Sequence, residues 1–428
     1  MNEEQRAEIH PGGAVDNTVP RSWSGLVGVI SFITVTLWVC QQAMPTTHRV
    51  LWCLLGTALP MIAFDLAVVR VHRRASAEID GKSGAVNWRR VVLKSVGLWA
   101  TIALIAAAYG IFKEYHGSFY DPFWAVLRVV GAPFALLSLP YIAWVDCRMR
   151  DPRDGYWHLG AAIAGSLLGV PRSDVDSREL ARHGRAWLVK AFFWPLMVVY
   201  LSQNLSSIAV KMTLWHGVDS FSMFYDLAWL GMYTVDVGFA AVGYAMTFRL
   251  LDAHTRSAEP TVLGWMLCLM CYQPFWGVMG RMYLSYDDNH TWGAWLSAHP
   301  VIHGLWGAAI LALTFVYVWS TVSFGLRFSN LTHRGVLSFG PYRWLRHPAY
   351  VSKNLSWWLV SIPFIPTNGG MEAIRACAAL LLVNAVYALR AWTEERHLGA
   401  DPAYRSYQKQ TPWFLERIGQ WFSARRQP

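Results

Sequence analysis

Residues 91–112 read VVLKSVGLWATIALIAAAYGIF, twenty-two positions carrying a single charge, Lys94. Wound as an α-helix they reach about 33 Å, enough to cross the hydrocarbon core of a bilayer. A helix at the surface of a soluble domain keeps one polar face, and this stretch has none. Comparable runs lie near 24–43, 49–69, 122–145, 186–208, 221–248, 261–282, 301–325, 349–366 and 371–392. With 91–112 they make ten predicted spans. A weaker Gly- and Ala-rich run at 155–170 (GYWHLGAAIAGSLLGV) is expected to be re-entrant or interfacial. The fold expected is therefore all-α: a polytopic integral membrane helix bundle of about ten transmembrane helices.

Composition agrees. Of 428 residues 54% are hydrophobic and 15% charged, with 24 Trp and 18 Tyr. Soluble domains are roughly a quarter charged, and indole and phenol rings favour membrane–water interfaces. These values exclude a disordered chain, a disulfide scaffold and an ordinary cytosolic enzyme. The six cysteines are scattered, and the Cys268/Cys271 pair sits inside an apolar run with no second pair. Buried cysteines of this kind act as small apolar residues.

The formal net charge of +10 reports topology. Basic residues crowd the segments after the second span (Arg70, Arg73, Arg74, Lys82, Arg89, Arg90 and, at the edge of the third span, Lys94) and the fourth (Arg148, Arg150, Arg153, Arg172, Arg178, Arg182, Arg185, Lys190). They continue after the sixth (Arg249, Arg256), the eighth (Arg327, Arg334, Arg343, Arg346) and in the C-terminal tail. The alternate loops carry one each: Arg49, Lys113, Lys211, Arg281 and Arg375. Positive charge marks the cytoplasmic side. Both termini are expected in the cytoplasm, in an inner-membrane protein, and nucleic acid is dropped as a partner. Residues 1–22 read as a polar cytoplasmic tail and not a signal peptide. Asp65, Asp226 and Asp236 are intramembrane carboxylates, either facing the bundle interior or marking an ion path. No inverted repeat supports a transporter.

Chemistry concentrates in two clusters. The first is RGVLSFGPYRWLRHPAY, Arg334–Tyr350. Gly340-Pro341 signals a turn, and Pro348 suits the first position of a helix. Arg346 and His347 then stand at a helix N-terminus, beside unpaired amides that suit a carboxylate or phosphate. A membrane-edge anchor and a helix cap would leave the same pattern. The second cluster is RAWTEERHL, Arg390–Leu398, followed by Tyr404 and Tyr407. Glu394 and Glu395 at a helix C-terminus oppose the macrodipole. Either they hold an ammonium group or they pair with Arg390 and Arg396. The two spans form a hairpin, so both clusters share one face. A zwitterionic sulfonium would fit: carboxylate to Arg or amides, ammonium to Glu, sulfonium near aromatic rings.

The run GPYxxxRHPxY, a span pair, then EExxL, Tyr404-x-x-Tyr407 and Pro412 resembles the isoprenylcysteine carboxyl methyltransferase family and, more widely, the membrane phospholipid methyltransferases. The likeness covers about residues 320–415. It implies a methyltransferase-like domain over 301–428, ending in a cytoplasmic tail, behind a multi-span region 23–300 of unassigned role. It also implies an S-adenosyl-L-methionine site lined by Gly340, Pro341, Tyr342, Arg346, His347, Pro348 and Tyr350. Glu394 and Glu395 would take the amino end, with Leu398, Tyr404 and Tyr407 closing over it; no metal is implied. The acceptor would be a lipophilic molecule, lipid or prenylated peptide reached from the bilayer, with a carboxylate favoured. Arg346, His347, Lys353 and Asn354 are the catalytic candidates. A thiol or amine acceptor would need a base, with His333 or His347 as first candidates.

Two departures from the family pattern bear on the tail and the acceptor. Gly399-Ala-Asp-Pro402 replaces the usual Phe-Gly, and Val351-Ser-Lys353-Asn354 stands where Gly is common. Competing readings are an NADPH-dependent sterol or enone reductase, whose tail pattern favours Arg-Asp, and a non-catalytic membrane protein or transporter keeping the fold. A metal site on His299 and His303 with Asp287, Asp288 and His290 is a third. Neither the acceptor nor the oligomeric state follows from these residues.

Overall fold

The computed structural model describes residues 18–80, 84–214, 221–284, 286, 291–365 and 369–413. It is helical, and its described strands are two residues each. Helices α1 (Ser24–Gln41), α2 (Thr46–Phe64), α3 (Trp88–Ile111), α4 (Asp121–Asp146), α5 (Gly155–Ala164), α6 (Ser177–Leu214) and α7 (Phe221–Ala245) come first. After them run α8 (Val262–Leu269), α9 (Pro300–Phe324), α10 (Pro348–Ser361), α11 (Gly370–Leu398) and α12 (Pro402–Gln410). Strand β1 (Ser257–Ala258) pairs antiparallel with β2 (Thr332–His333).

Seven helical stretches among the described residues are long and apolar enough to cross a membrane. They are Ser24–Gln41, Thr46–Val69, Trp88–Ile111, Ser118–Asp146, Ser177–Leu214, Pro300–Arg327 and Gly370–Leu398. The chain is thus a multi-pass, all-α membrane helix bundle.

The three other expected spans look different, for local reasons. Helix α7 is 25 residues long, but Asp226 and Asp236 lower its hydropathy. The expected span 261–282 is interrupted: α8 stops at Leu269, and helix resumes only at Phe275. Pro274 sits in that gap, where it can donate no backbone hydrogen bond and restricts the residue before it. The expected span 349–366 is the 14-residue α10, about 21 Å long and short for a bilayer. It ends where Ile362 takes a left-handed conformation (φ 41°) before Pro363. The weak run 155–170 becomes the ten-residue α5 and a single 3₁₀ turn, Ser166–Leu168.

The described residues form two compact units. The first draws on Met1–Ala209, Val237–Ala258 and Gly325–Gly335. The second draws on Val210–Asp236, Glu259–Phe324 and Val336–Pro428.

In the first unit α1 packs on α2 and α3 on α5. The α3–α5 contact is backbone to backbone. A Cβ added at Gly160 would stand 1.8 Å from the Leu93 carbonyl oxygen, and one at Gly97 2.0 Å from that of Tyr156. Gly160→Ala is therefore expected to force the helices apart, at about 1–3 kcal/mol. Thermal unfolding in detergent checks it, and an unchanged midpoint would contradict the contact.

Lys94, placed in the third span by sequence, is not alone there. Its ammonium lies 3.0 Å from Asp146 and 3.3 Å from Asp154, and Arg90 also grips Asp146 at 2.7 Å. Charges buried on this scale persist because they are paired.

The second unit is assembled through polar pins between apolar helices. Asp236 on α7 accepts from Tyr317 at 2.6 Å and Thr321 at 2.5 Å, both on α9. Trp306 on α9 donates to the Leu359 carbonyl on α10 at 2.8 Å. Asn384 on α11 accepts from Trp358 at 2.8 Å and donates to Asn354 at 2.6 Å, both on α10. Asp236 thus faces helix neighbours, as the plainer sequence reading expects, and Asp226 is ion-paired with Lys211 at 2.7 Å.

Candidate functional site

The site lies in the second unit, where the start of α10 meets the end of α11. Gly340 opens a 3₁₀ turn, Gly340–Arg343, with φ +60°. That left-handed conformation is cheap only for glycine, and a Cβ there would also stand 2.7 Å from Ser323 Oγ. Pro341 is buried in the turn. His347 is the N-cap residue of α10 and Pro348 its first helical residue, so the turn forms where expected, but the His347 side chain makes no capping hydrogen bond and turns to Glu395 instead.

Both motifs converge. Arg346 Nη1 donates to Glu395 Oε2 at 2.8 Å, and His347 Nε2 lies 2.9 Å from Glu395 Oε1. Tyr350 donates its hydroxyl to Glu394 Oε1, which Arg390 Nε also reaches at 3.2 Å. His347 stacks on Tyr350 with centroids 5.5 Å apart and planes at 10°. The Arg390 guanidinium lies 4.9 Å over the Tyr350 ring. Two guanidiniums thus meet two carboxylates amid aromatic faces, and the local charge nearly balances.

The two glutamates are not equivalent. Glu395 accepts from Arg346 and His347, and also from Gln408 at 3.1 Å and Trp413 at 3.1 Å. It is a filled clasp joining α10, α11 and the tail. Glu394 is the more exposed side chain, at 22% against 10%.

The tail closes the site. Tyr404 and Tyr407 on α12 pack with Val336, Ala403, Tyr342 and Leu398. Tyr407 donates to the Tyr342 carbonyl at 2.8 Å. Burial pushes the Tyr342, Tyr404 and Tyr407 phenols well above the ordinary tyrosine range; Glu394 adds to this at Tyr342, and Glu395 and Glu394 both add to it at Tyr404. They stay protonated donors at any physiological pH. Asp401 caps α12 through the Ala403 amide, with Pro402 at its first position.

Lys353 and Asn354 stand apart from the carboxylates. The Lys353 ammonium lies 5.1 Å over Tyr317, 5.4 Å over Trp357 and 6.0 Å over Tyr387. Asn354 turns to α11, held by Asn384 and by the Tyr350 carbonyl at 2.7 Å, so its amide serves helix packing.

Gln408, Trp413, Tyr272 and Tyr387 belong to the site's surroundings and were not singled out by sequence. Gln408 and Trp413 follow Tyr407 and Pro412 with no motif spacing of their own. Tyr272 lies beside Arg390 at 5.7 Å from a segment read as plain span. Among the described residues no group of three His, Cys, Asp or Glu has metal-binding geometry. His303 stacks on Trp292 at 4.8 Å, and Asp287, Asp288 and His290 lie outside the described residues.

Neither a curated protein nor a solved structure matches the chain. Residues 321–411, which hold both motifs, match the model of a family described as "Protein of unknown function (DUF1295)", related to steroid 5-alpha reductase-like and isoprenylcysteine carboxyl methyltransferase-like membrane proteins.

Proposed function

We propose that this protein is an S-adenosyl-L-methionine-dependent methyltransferase acting on a lipophilic acceptor, with its site on the cytoplasmic side of an inner membrane. The observation carrying the reading is the acid pair Glu394/Glu395 brought against Arg346 and His347 at the N-terminus of α10. The donor set fits a zwitterion with a cationic sulfonium. Glu394, the less occupied acid, takes the ammonium, the first-turn amides of α10 take the carboxylate, and Tyr350 and Trp413 offer ring faces to the sulfonium. Glu395 holds the helices and the tail in register. A reductase reading draws on the same family relation, but NADPH is a polyanion. A site whose arginines are each matched by a glutamate offers it little.

When bound, the cofactor supplies a methyl group on a good leaving group. The chain's tasks are to align the acceptor and exclude water. Tyr404, Tyr407 and Leu398 do the second from the tail. Lys353, one turn beyond Tyr350, does the first. Its ammonium makes no hydrogen bond or ion pair among the described residues; it faces aromatic rings and lies in the field of Asp236. It is placed to hold an acceptor carboxylate, which is nucleophilic when ionised and needs no base. His347 Nε2 faces Glu395, which leaves it poorly placed to deprotonate a thiol or amine.

Transfer of radiolabelled methyl from S-adenosyl-L-methionine to a panel of lipophilic acids, thiols and amines tests the reading. Lys353→Met is expected to leave donor binding within about twofold while raising the acceptor KM on the order of tenfold or more, with Lys353→Arg restoring part of it. A normal acceptor KM in Lys353→Met would remove Lys353 from the site.

A further inference from the structure

Lys353, the acceptor contact of the proposed reaction, carries its charge without a counter-ion in contact. The side chain is half-buried in the second turn of α10, with the ring faces of Tyr317, Trp357 and Tyr387 around its ammonium. Ring faces offset part of a cation's charge. The charged and titratable groups that act on it further are Asp236 on α7, Arg390 on α11 and the Cys271 thiol beyond α8. Arg390 is itself a cation, and it reaches Glu394 at 3.2 Å. The negative charge acting on Lys353 is therefore that of Asp236.

Asp236 is 8% exposed, and each of its oxygens is engaged by a hydroxyl from α9. Tyr317 donates to Oδ2 at 2.6 Å and Thr321 to Oδ1 at 2.5 Å. Tyr317 is thereby shared: its hydroxyl is on Asp236, and its ring lies 5.1 Å from the Lys353 ammonium. Tyr233, also on α7, packs on the same ring at 5.7 Å. As a pin between helices, position 236 needs only a neutral acceptor, and a buried carboxylate costs far more. Hydroxyl donors hold a carboxylate in place without cancelling its charge. A carboxylate touching Lys353 would occupy its N–H donors. One held back by two hydroxyls supports the ammonium's charge and leaves those donors open.

We infer that Asp236 is a positioning residue: it is the remote counter-ion that keeps Lys353 charged, with its donors free for the acceptor's carboxylate. The acceptor's part in this rests on the methyltransferase reading, and the counter-ion does not.

The test measures Lys353 itself, in the full chain in detergent. An amine is acylated only in its uncharged form, so acetylation by N-hydroxysuccinimidyl acetate, followed by peptide mass spectrometry, reads its charge. Exposed Lys113 is the internal reference. In Asp236→Asn the rate at Lys353 should rise about tenfold. Tyr317→Phe frees one Asp236 oxygen to pair with the ammonium, and should slow it. In methyl-transfer assays both variants should raise the acceptor KM on the order of tenfold and leave kcat within about twofold. In a Lys353→Met background Asp236→Asn should change KM no further, whereas a purely structural role would add its effect. Shifted labelling without methyl transfer upholds the counter-ion and counts against the methyltransferase reading. Wild-type labelling rates in the folded variants, no labelling of Lys353 in any of the proteins, or additive effects on KM would overturn the inference. Should Asp236→Asn fail to fold, Tyr317→Phe decides.

Discussion

Glu395→Ala is expected to destabilise the protein by about 3–5 kcal/mol, the usual cost of removing one partner from a buried ion pair. The side chains of Arg346 and Glu395 are only 9% and 10% exposed, so water cannot take over the lost contact. The substitution also removes the shared acceptor of Gln408 and Trp413, whose side-chain donors both converge on Glu395 Oε2. Detachment of the tail should follow, seen as protease cleavage after Arg405 or Lys409, both exposed. Glu395→Gln keeps the shape and half the acceptors, and should cost about 1–3 kcal/mol. Arg346→Met combined with Glu395→Met should recover much of the loss, because the uncompensated charge is gone. Thermal unfolding of the three variants in detergent provides the comparison. A loss below about 1 kcal/mol for Glu395→Ala would mean the pair behaves as a solvated surface bridge.

Glu394→Gln should do the opposite: little to stability and much to donor binding. Its carboxylate is the more exposed of the two, and its neighbours Tyr350 and Arg390 keep each other company through a cation–π contact. Losing a charged hydrogen bond to an ammonium removes about 1.5–3 kcal/mol, or roughly ten- to a hundredfold in affinity. Stability should stay within about 1 kcal/mol of wild type. Titration of S-adenosyl-L-methionine into both proteins, with unfolding midpoints beside it, reads the two effects separately. Parallel losses of binding and stability would make Glu394 a second structural clasp and leave the ammonium without its proposed partner.

The bundle was legible because membrane helices need apolar length, and length is written in the chain. The failures lie where length misleads. The stretch 261–282 is apolar throughout, yet Pro274 leaves a break within it. Residues 349–366 are apolar enough, yet α10 ends at Ser361. Neither break changes hydropathy, so a reading by composition passes over both. The convergence of Arg346 and His347 with Glu394 and Glu395 was visible as hairpin topology. Which glutamate would be occupied was not, since that depends on Gln408 and Trp413 folding back from the tail. Asn354 shows the same limit: its residue type suits a polar site, but one helical position turned it toward Asn384.

The most direct measurement is calorimetric titration of purified wild-type protein with S-adenosyl-L-methionine and, separately, with NADPH, with Glu394→Gln and Arg346→Met beside it. Binding of the methyl donor that weakens in both variants, with no NADPH heat, is the result this account predicts. NADPH binding without donor binding, or donor binding indifferent to both substitutions, would contradict it.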